Sequence, residues 1–407
     1  MSTSISADFF IGNRQRLREL FTGTAPIVIS SNGLLQRNSD VTFPFRQDST
    51  FWYLTGINEP DVLLVIDKGK QYLIVPERDE SRQAFDGSID TGYLTEISGI
   101  DTILPESQGW RQLSARLKKA KHVATVAPAA DYIPQHGIYT NPSRARLLSQ
   151  IKEQNSDIEL LDLRPHISRM RMIKQPIELE RMQTAIDLTA DTLKSLQKRG
   201  FEKFAYEYEL ESAITHKFRK KQAVHAYGAI VASGANACTL HYVQNDSRIM
   251  PNEFVLLDVG AEIDNYAADI TRTYAVGEVS KRHRTVHETV QVVQEYAMSL
   301  LKPGITMRAF EDSVQQFMGE KLRELGLLKK IEAEDVRKYY PHATSHFLGL
   351  DVHDVGDYER PLEPGVVLTV EPGIYIPEEG IGVRIEDNIL ITEDGITNLS
   401  AKLPRGY

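Results

Sequence analysis

Two acidic residues interrupt apolar segments in the second half of the chain. Asp258 lies inside the segment 254–260, which reads FVLLDVG, and Asp269 lies eleven residues later in the segment 266–273, which reads YAADITRT. Aspartate is uncommon in strands and is almost never fully buried unless it is paired. Because the turn-like residues 261–265 separate the two segments, a hairpin would bring both carboxylates together.

A second pair of acids repeats this pattern closer to the end of the chain. Glu371 lies in the predicted strand 365–375 and Glu386 in the predicted strand 382–392, just as Asp269 lies in the predicted strand 266–276. Side chains alternate between the two faces of a strand, so Arg384, Glu386 and Asn388 are expected on one face. In this part of the chain, helical segments come in a block and strands come as hairpins, which predicts an α+β domain with a mostly antiparallel sheet.

Four carboxylates on one sheet face would repel each other and therefore need cations. At a separation of ~4 Å, each pair costs about 4 kcal/mol at an effective dielectric constant of 20. Two divalent ions would balance four negative charges, and His346 in the segment 341–346 could add a neutral imidazole. Such a donor set suits Mn²⁺, Co²⁺, Fe²⁺ or Zn²⁺, and two such ions would form a hydrolytic pair. A single acid at a strand end is usually an ordinary turn residue, but four acids and a histidine cluster favour a metal site.

The motifs around these acids resemble the metallopeptidase family with the pita-bread fold, in its proline-specific branch. The resemblance implies a C-terminal pita-bread (creatinase/aminopeptidase-like) domain of the α+β class. Five strings match the family in order and spacing: Leu257-Asp258-Val259-Gly260, Ala268-Asp269-Ile270-Thr271-Arg272, the segment 345–354 (SHFLGLDVHD), Thr369-Val370-Glu371-Pro372-Gly373 and Arg384-Ile385-Glu386-Asp387.

The family's metal ligands carry over onto five residues of this sequence. The resemblance implies that Asp258 is a bidentate ligand of one ion, that Asp269 and Glu386 bridge two ions, and that His346 and Glu371 bind the second ion. It implies two divalent metal ions per chain, with Mn²⁺ expected and Co²⁺, Zn²⁺ or Fe²⁺ as alternatives.

Three residues are expected to take part in catalysis. His241 matches the family's histidine that helps with the proton and the developing oxyanion, and Glu371 is the expected proton shuttle. His353 is expected to line the pocket and to hydrogen-bond the substrate carbonyl or the proline region. Without the resemblance, His241 would be read as an ordinary, partly buried histidine.

Four further residues are expected to contact or orient the substrate or to lie near the site. His342 would line the pocket as His353 does, and Arg384 would orient Glu386 or its neighbouring acids through a bidentate contact. Tyr227 and Tyr375 match family positions near the site.

The first part of the sequence alternates helix-like and strand-like segments, which predicts a smaller α/β domain. The segments 45–49 (FRQDS) and 51–56 (FWYLTG), followed by Glu59-Pro60, resemble the N-terminal domain of the aminopeptidase P family. The predicted organisation is therefore an N-terminal domain over 1–165, a linker over 166–176 and a catalytic domain over 177–407. The segment 85–90 departs from the family's Trp-x-Gly-x-Arg, which weakens any contact between subunits that depends on that motif.

The resemblance implies hydrolysis of the N-terminal Xaa-Pro bond of peptides with proline in the second position. A Xaa-Pro dipeptidase is the nearest alternative, because the segment 375–382 is short and closer to that of microbial prolidases. A pita-bread module without catalysis, and a metal-free creatine amidinohydrolase, remain as further alternatives that the intact ligand set argues against. The expected assembly is a homodimer or homotetramer.

Composition and charge exclude other classes of partner. The 407 residues carry 47 basic and 56 acidic side chains, a net charge of −9, which argues against general binding of nucleic acid or anionic membranes. The single cysteine, Cys238, cannot form an intrachain disulfide. No signal-peptide core and no run of ~20 apolar residues is evident, so we expect a cytoplasmic protein.

Overall fold

The chain folds into two compact units, Met1–Met170 and Arg171–Tyr407. The computed structural model describes residues 5–127, 133 and 137–407. The first seven residues of the predicted linker over 166–176 belong to the helix Arg164–Met172. Pro165 is tolerated there since it lies in the first helical turn, where its missing N–H would have no partner. No described helix is long and apolar enough to cross a bilayer.

The first unit is built on a six-stranded mixed sheet with the strand order β6-β5-β4-β1-β7-β8. Strands β1, β4 and β5 pair antiparallel, whereas β6, β7 and β8 join in parallel. The predicted α/β class is confirmed. The described elements, in chain order, are α1 (Ala7–Leu20), β1 (Ile27–Ser30), β2 (Gln36–Asn38), β3 (Val41–Thr42), α2 (Ser49–Thr55), β4 (Leu63–Asp67), β5 (Lys70–Val75), α3 (Glu80–Asp86), α4 (Thr91–Ser98), β6 (Ile103–Pro105), α5 (Glu106–Leu117), β7 (His122–Thr125), α6 (Ser143–Gln154), β8 (Glu159–Asp162) and α7 (Arg164–Met172).

Local sequence explains where several of these elements begin and turn. Helices α2, α3 and α4 follow Asp48, Asp79 and Asp90, whose carboxylates each accept a backbone N–H of the first turn. Lys68 and Gly69 join β4 to β5 with positive φ at both positions, as the tight hairpin turn between twisted strands requires. The four buried residues of β1 place this strand at the centre of the sheet.

The second unit combines helices with several small antiparallel sheets, in the orders β10-β11-β14, β13-β12-β9, β15-β18-β19 and β16-β17. The predicted α+β class is confirmed. Its described helices and strands are α8 (Pro176–Arg199), α9 (Glu207–Arg219), β9 (Val224–His225), β10 (Ile230–Ser233), β11 (Phe254–Val259), β12 (Ala261–Ile263), β13 (Tyr266–Ala267), β14 (Ile270–Ala275), α10 (Lys281–Leu300), α11 (Met307–Glu324), α12 (Ala333–Tyr339), β15 (Val367–Val370), β16 (Gly373–Ile376), β17 (Ile381–Arg384), β18 (Asp387–Thr392) and β19 (Gly395–Asn398).

The core of this unit lies between helices and sheets. Residues spaced three and four apart on α10, such as Val286, Val290 and Val293, are fully buried and pack with the apolar faces of β15 to β18. The same spacing on α11 buries Phe310 and Val314. These two helices are therefore fixed against the strands that carry the candidate site residues.

Three predicted long strands are each interrupted at an acid. The predicted strands 266–276, 365–375 and 382–392 break at Asp269, Glu371 and Glu386, so the prediction of acids within continuous strands is wrong for these three. Only Asp258 lies inside a strand, β11. The breaks have a common cause, since the backbone at each acid bonds outside its own ladder: for example, Glu386 N–H donates to Thr271 O over 3.0 Å. Pro372, which follows Glu371, has no N–H to continue a ladder.

A buried histidine on α10 predicts a pH dependence of stability. Burial lowers the pKa of His287 to about 4 from its ordinary 6.5. The unfolded chain thus takes up a proton first as the pH falls, so stability is full above pH 6.5 and declines by about 3 kcal/mol towards pH 4. His287→Gln is expected to flatten this slope in urea titrations followed by circular dichroism. His216→Gln, at an exposed site, is the matched control, and an unchanged slope in His287→Gln would contradict the assignment.

Candidate active site

All ten residues proposed from the sequence for metal, catalysis or substrate line one cavity of the second unit. The cavity has a volume of about 630 Å³ and includes apolar wall residues such as Ile230, Leu240 and Val352. Its size and mixed lining are typical of a small-molecule or peptide site. The ten residues are Tyr227, His241, Asp258, Asp269, His342, His346, His353, Glu371, Arg384 and Glu386.

A hairpin brings the first two acids together, as their spacing predicted. Strands β11 and β14 pair antiparallel with Asp258 opposite Thr271, and Asp269 directly precedes β14. At the crossing, a Cβ atom on Gly260 would lie 1.8 Å from Ala268 O. Only glycine allows this close backbone approach, which keeps Asp269 near Asp258.

The Tyr227 hydroxyl lies between these two carboxylates. It is 2.5 Å from Asp258 Oδ1 and 2.5 Å from Asp269 Oδ1. A phenol has one proton and can donate it to one carboxylate only. The second short oxygen–oxygen contact therefore requires a further proton or a cation at this place.

Arg384 is the buried cation of the site, and its partner is Asp258. Its Nη2 lies 2.5 Å from Asp258 Oδ2, while Nη1 donates to the Tyr375 hydroxyl and Nε donates to Thr271 Oγ1. The expected bidentate contact with an acid is not formed, because the three donors are divided among three partners. Burial alone would lower the pKa of Arg384, but Tyr375 and the acids Asp258 and Glu386 raise it well above its ordinary value.

His346 lies between two of the acids. Its Nε2 is 3.4 Å from Asp269 Oδ2 and 3.3 Å from Glu371 Oε1. Its Nδ1 lies 3.0 Å from Phe347 O. A proton on Nδ1 would donate to this carbonyl and leave the Nε2 lone pair directed at the acids, the arrangement of a metal-binding histidine.

Burial and mutual repulsion shift the protonation of the acids. Burial, followed by Asp269, Glu371 and Asp258, raises the pKa of Glu386 well above its ordinary value. Burial and the neighbouring acids likewise raise the pKa of Glu371 to about 8, and burial raises the pKa of Asp258. Without a cation, the folded site therefore favours protonated over ionised acids.

This donor set fits a divalent cation. One ligand atom each from Asp269, His346 and Glu386 lies within 4.8 Å of the others. Carboxylate oxygens with one imidazole nitrogen are hard and borderline donors suited to Mn²⁺, Zn²⁺ and similar ions. A cation would allow these acids to ionise together, because Arg384 compensates only one negative charge.

The three other histidines surround this cluster. The rings of His353 and His346 meet edge to face with centroids 4.3 Å apart. His342 Nε2 lies 2.9 Å from the Tyr375 hydroxyl, and burial is the main cause that lowers the pKa of His342 to about 3. His241 is exposed at the cavity wall. Burial also lowers the pKa of His353, so the imidazoles of His342 and His353 are neutral near neutral pH.

Three further residues hold the proposed ligands in place, a role that the sequence motifs do not assign to them. Thr271 Oγ1 donates to Glu386 Oε2 over 2.6 Å, and the Asn388 side-chain carbonyl accepts the N–H of Asp269. Thr369 Oγ1 accepts the N–H of His346 over 3.2 Å. The alternation of side chains in strands could have identified Thr271 and Asn388. Thr271 lies two residues after Asp269, and Asn388 lies two residues after Glu386. No comparable pattern in the sequence marks Glu311, whose carboxylate accepts the backbone N–H of Thr344.

Comparison with known proteins agrees with this geometry. The model of metallopeptidase family M24 matches residues 180–393, and the model of the aminopeptidase P N-terminal domain matches residues 10–125. The Xaa-Pro aminopeptidase of Haemophilus influenzae is 38% identical over an alignment of 404 positions that covers 91% of this chain and 88% of that protein. Human Xaa-Pro aminopeptidase 3 is 34% identical over an alignment of 415 positions that covers 93% of this chain and 78% of that protein.

A solved structure extends the similarity to the complete fold. Escherichia coli aminopeptidase P with the inhibitor Pro-Leu superposes with a TM-score of 0.85 at 33% identity, covering 99% of this chain and 97% of that chain. Together with the clustered acids and His346, these similarities establish a site for divalent metal. The chain belongs to metallopeptidase family M24, and its first unit is an aminopeptidase P N-terminal domain.

Proposed function

We propose that this protein is a metal-dependent Xaa-Pro aminopeptidase. It hydrolyses the bond between the first residue of a peptide and a proline in the second position. The main support for this proposal is that one cavity is lined by four acids, His346, three further histidines and Arg384. The names of the relatives and the Pro-Leu complex of the Escherichia coli enzyme support the substrate class.

The proposed ligands are those that the resemblance implies: Asp258 for one ion, Asp269 and Glu386 for both ions, and His346 and Glu371 for the other. We propose Mn²⁺ as the physiological ion. When bound, two divalent ions supply an activated water and polarise the scissile carbonyl.

The remaining steps belong to side chains of the cavity. Glu371 would accept the proton of the attacking water and deliver it to the proline nitrogen, which leaves as a secondary amine. A hydrogen bond from His241 or His353 would stabilise the developing oxyanion. The rotation of Glu371 is limited, because its backbone N–H donates to Thr344 O and its Oε1 lies 3.4 Å from Thr369 Oγ1.

Shape must select proline, because the scissile nitrogen of a Xaa-Pro bond carries no hydrogen. We propose that His342 and His353, with Tyr227 and Arg384 behind them, form the wall on which the ring rests. The apolar side chains of Leu240 and Val243 line the same cavity. A pyrrolidine ring gains from such a wall through the removal of its apolar surface from water.

We further propose that the protein is cytoplasmic, that it assembles as a homodimer or homotetramer, and that it binds neither nucleic acid nor membranes. Light scattering of the purified protein tests the assembly, and a strict monomer would contradict it. The net charge of −9 is the observation behind the exclusion of nucleic acid.

The proposed activity is tested with paired substrates on protein reconstituted with Mn²⁺ or Co²⁺. We expect release of the first residue from a Xaa-Pro-Yaa tripeptide at a higher kcat/KM than cleavage of a Xaa-Pro dipeptide. A preference for the dipeptide would identify a prolidase instead. Absence of cleavage in protein that binds two ions would show that the substrate class is wrong.

A further inference from the structure

The segment that carries His342 and His346 has no regular secondary structure of its own. Residues 340–346 follow α12 as an irregular chain, and pairing resumes only with the bridge between Phe347 and Leu368. A backbone of this kind needs other partners to fix its position. Two of the ten cavity residues nevertheless depend on where this segment lies.

Glu311 holds the centre of this segment from outside the cavity. Its two carboxylate oxygens accept the backbone N–H of Thr344 over 3.0 and 2.9 Å, and Oε2 also accepts the Thr344 hydroxyl over 2.8 Å. These three bonds to a carboxylate belong to the stronger, charge-assisted class. They attach the segment to α11 at Thr344.

The helix that carries Glu311 is a rigid support. Phe310 and Val314 of α11 are fully buried in the core of the second unit. Glu311 is therefore fixed at the level of the backbone, and its side chain reaches across to Thr344. Through the Glu311 side chain, the position of α11 therefore fixes the position of the irregular segment.

Glu311 is costly to bury, which argues against an incidental contact. Burial raises the pKa of its carboxyl, and the hydrogen bonds from Thr344 oppose that shift. Among residues 5–127, 133 and 137–407, no cation forms an ion pair with it. A partly buried carboxylate without a cation is unfavourable unless its hydrogen bonds are complete.

Thr344 continues the contact towards the acids. Its carbonyl oxygen accepts the N–H of Glu371 over 2.9 Å. Its hydroxyl lies 2.5 Å from the hydroxyl of the buried Tyr340, which can donate to Thr344 while Thr344 donates to Glu311. A displacement of Thr344 would therefore move His342, His346 and the backbone of Glu371 together.

We propose that Glu311 is a positioning residue of the reaction, which acts through Thr344 to set the places of His342, His346 and Glu371. The expected effect of Glu311 on catalysis rests on the proposed function, whereas its expected effect on metal binding rests on the metal site alone. Supporting side chains behind metal ligands are typically worth about 10–100-fold in metal affinity or activity when they are changed. Displacements of about 1 Å in a catalytic geometry cost a similar factor.

The test compares Glu311→Gln with Asp312→Asn. Asp312 is the exposed neighbour on the same helix, so its change removes the same charge without touching Thr344. We expect Glu311→Gln to weaken Mn²⁺ binding in calorimetric titrations by about 10-fold and to lower kcat more than it raises KM. Asp312→Asn is expected to match the unchanged protein in both measurements. A Glu311→Gln protein with normal Mn²⁺ affinity and normal kcat would overturn the proposal.

A second pair of variants tests the same link from the other side. Thr344→Ser keeps the hydroxyl and the backbone N–H, whereas Thr344→Val keeps only the backbone N–H. We expect Thr344→Ser to retain Mn²⁺ affinity and activity, whereas Thr344→Val should lose several-fold in each. This comparison tests the role of the Glu311–Thr344 contact even if Glu311→Gln does not fold. Equal losses in the two variants would contradict the proposal. Since Mn²⁺ titration needs no substrate, an error in the proposed substrate leaves this result intact.

Discussion

Replacing Glu386 with glutamine is expected to lower kcat/KM for a Xaa-Pro-Yaa tripeptide by about 10³-fold or more. Glutamine keeps the shape of the side chain and can still accept the hydrogen bond from Thr271, but it removes a negative charge from the proposed bridge between two ions. Metal ions contribute several kcal/mol to the stabilisation of charge in such reactions, and about 4 kcal/mol corresponds to 10³-fold. Steady-state kinetics with saturating Mn²⁺ measure the effect.

The same substitution should stabilise the metal-free protein. The pKa of Glu386 is raised in the folded state, so ionisation of this group above its ordinary pKa opposes folding, and a neutral amide removes that opposition. We expect a higher urea midpoint for metal-free Glu386→Gln together with the loss of activity. Asp394→Asn, in an exposed turn, should change neither property. A variant that loses both stability and activity would show that Glu386 is structural rather than a ligand.

Arg384→Met is expected to have the largest effect on stability. The substitution leaves the carboxylate of Asp258 buried without its cation and also removes partners of Tyr375 and Thr271. Removal of one partner from a buried ion pair costs about 3–5 kcal/mol. Urea unfolding of the metal-free protein should be followed by circular dichroism, because both tryptophans, Trp52 and Trp110, lie in the first unit.

Metal should reduce this loss in the Arg384→Met protein. A divalent ion bound by Asp258 would supply the positive charge that the guanidinium no longer provides. The destabilisation should therefore be smaller in Mn²⁺ than in chelator, and an equal loss in both conditions would argue against Asp258 as a ligand. Arg360→Met is the matched control, since its ion pair with Glu363 is exposed and worth at most about 1 kcal/mol.

Residue type and spacing predict the chemistry of this site well. Acids within apolar segments are unfavourable unless something compensates them, so Asp258, Asp269, Glu371 and Glu386 are visible in the sequence as an anomaly. The spacing of the first two acids also predicts their hairpin, which the pairing of β11 with β14 confirms. Proline is favoured in the first turn of a helix, and α8 begins at Pro176.

The arrangement of the strands is decided by contacts that period-two patterns do not contain. Continuous strands were expected through Asp269, Glu371 and Glu386, yet each strand ends at its acid because the backbone there bonds to a distant residue. The acids consequently converge from several small sheets rather than from one face. A pattern of alternating side chains records which residues are apolar but not which distant carbonyl accepts a given N–H.

The sequence by itself determined the donor set of this protein: acids and a histidine whose burial requires a cation. Only the tertiary structure decided which residues hold these donors in place. Arg384 pairs with Asp258, and Glu311 reaches Thr344, 33 residues away in sequence. The physical reason is that a ligand's chemistry is a property of its side chain, whereas its position depends on long-range hydrogen bonds that form only when the chain has folded.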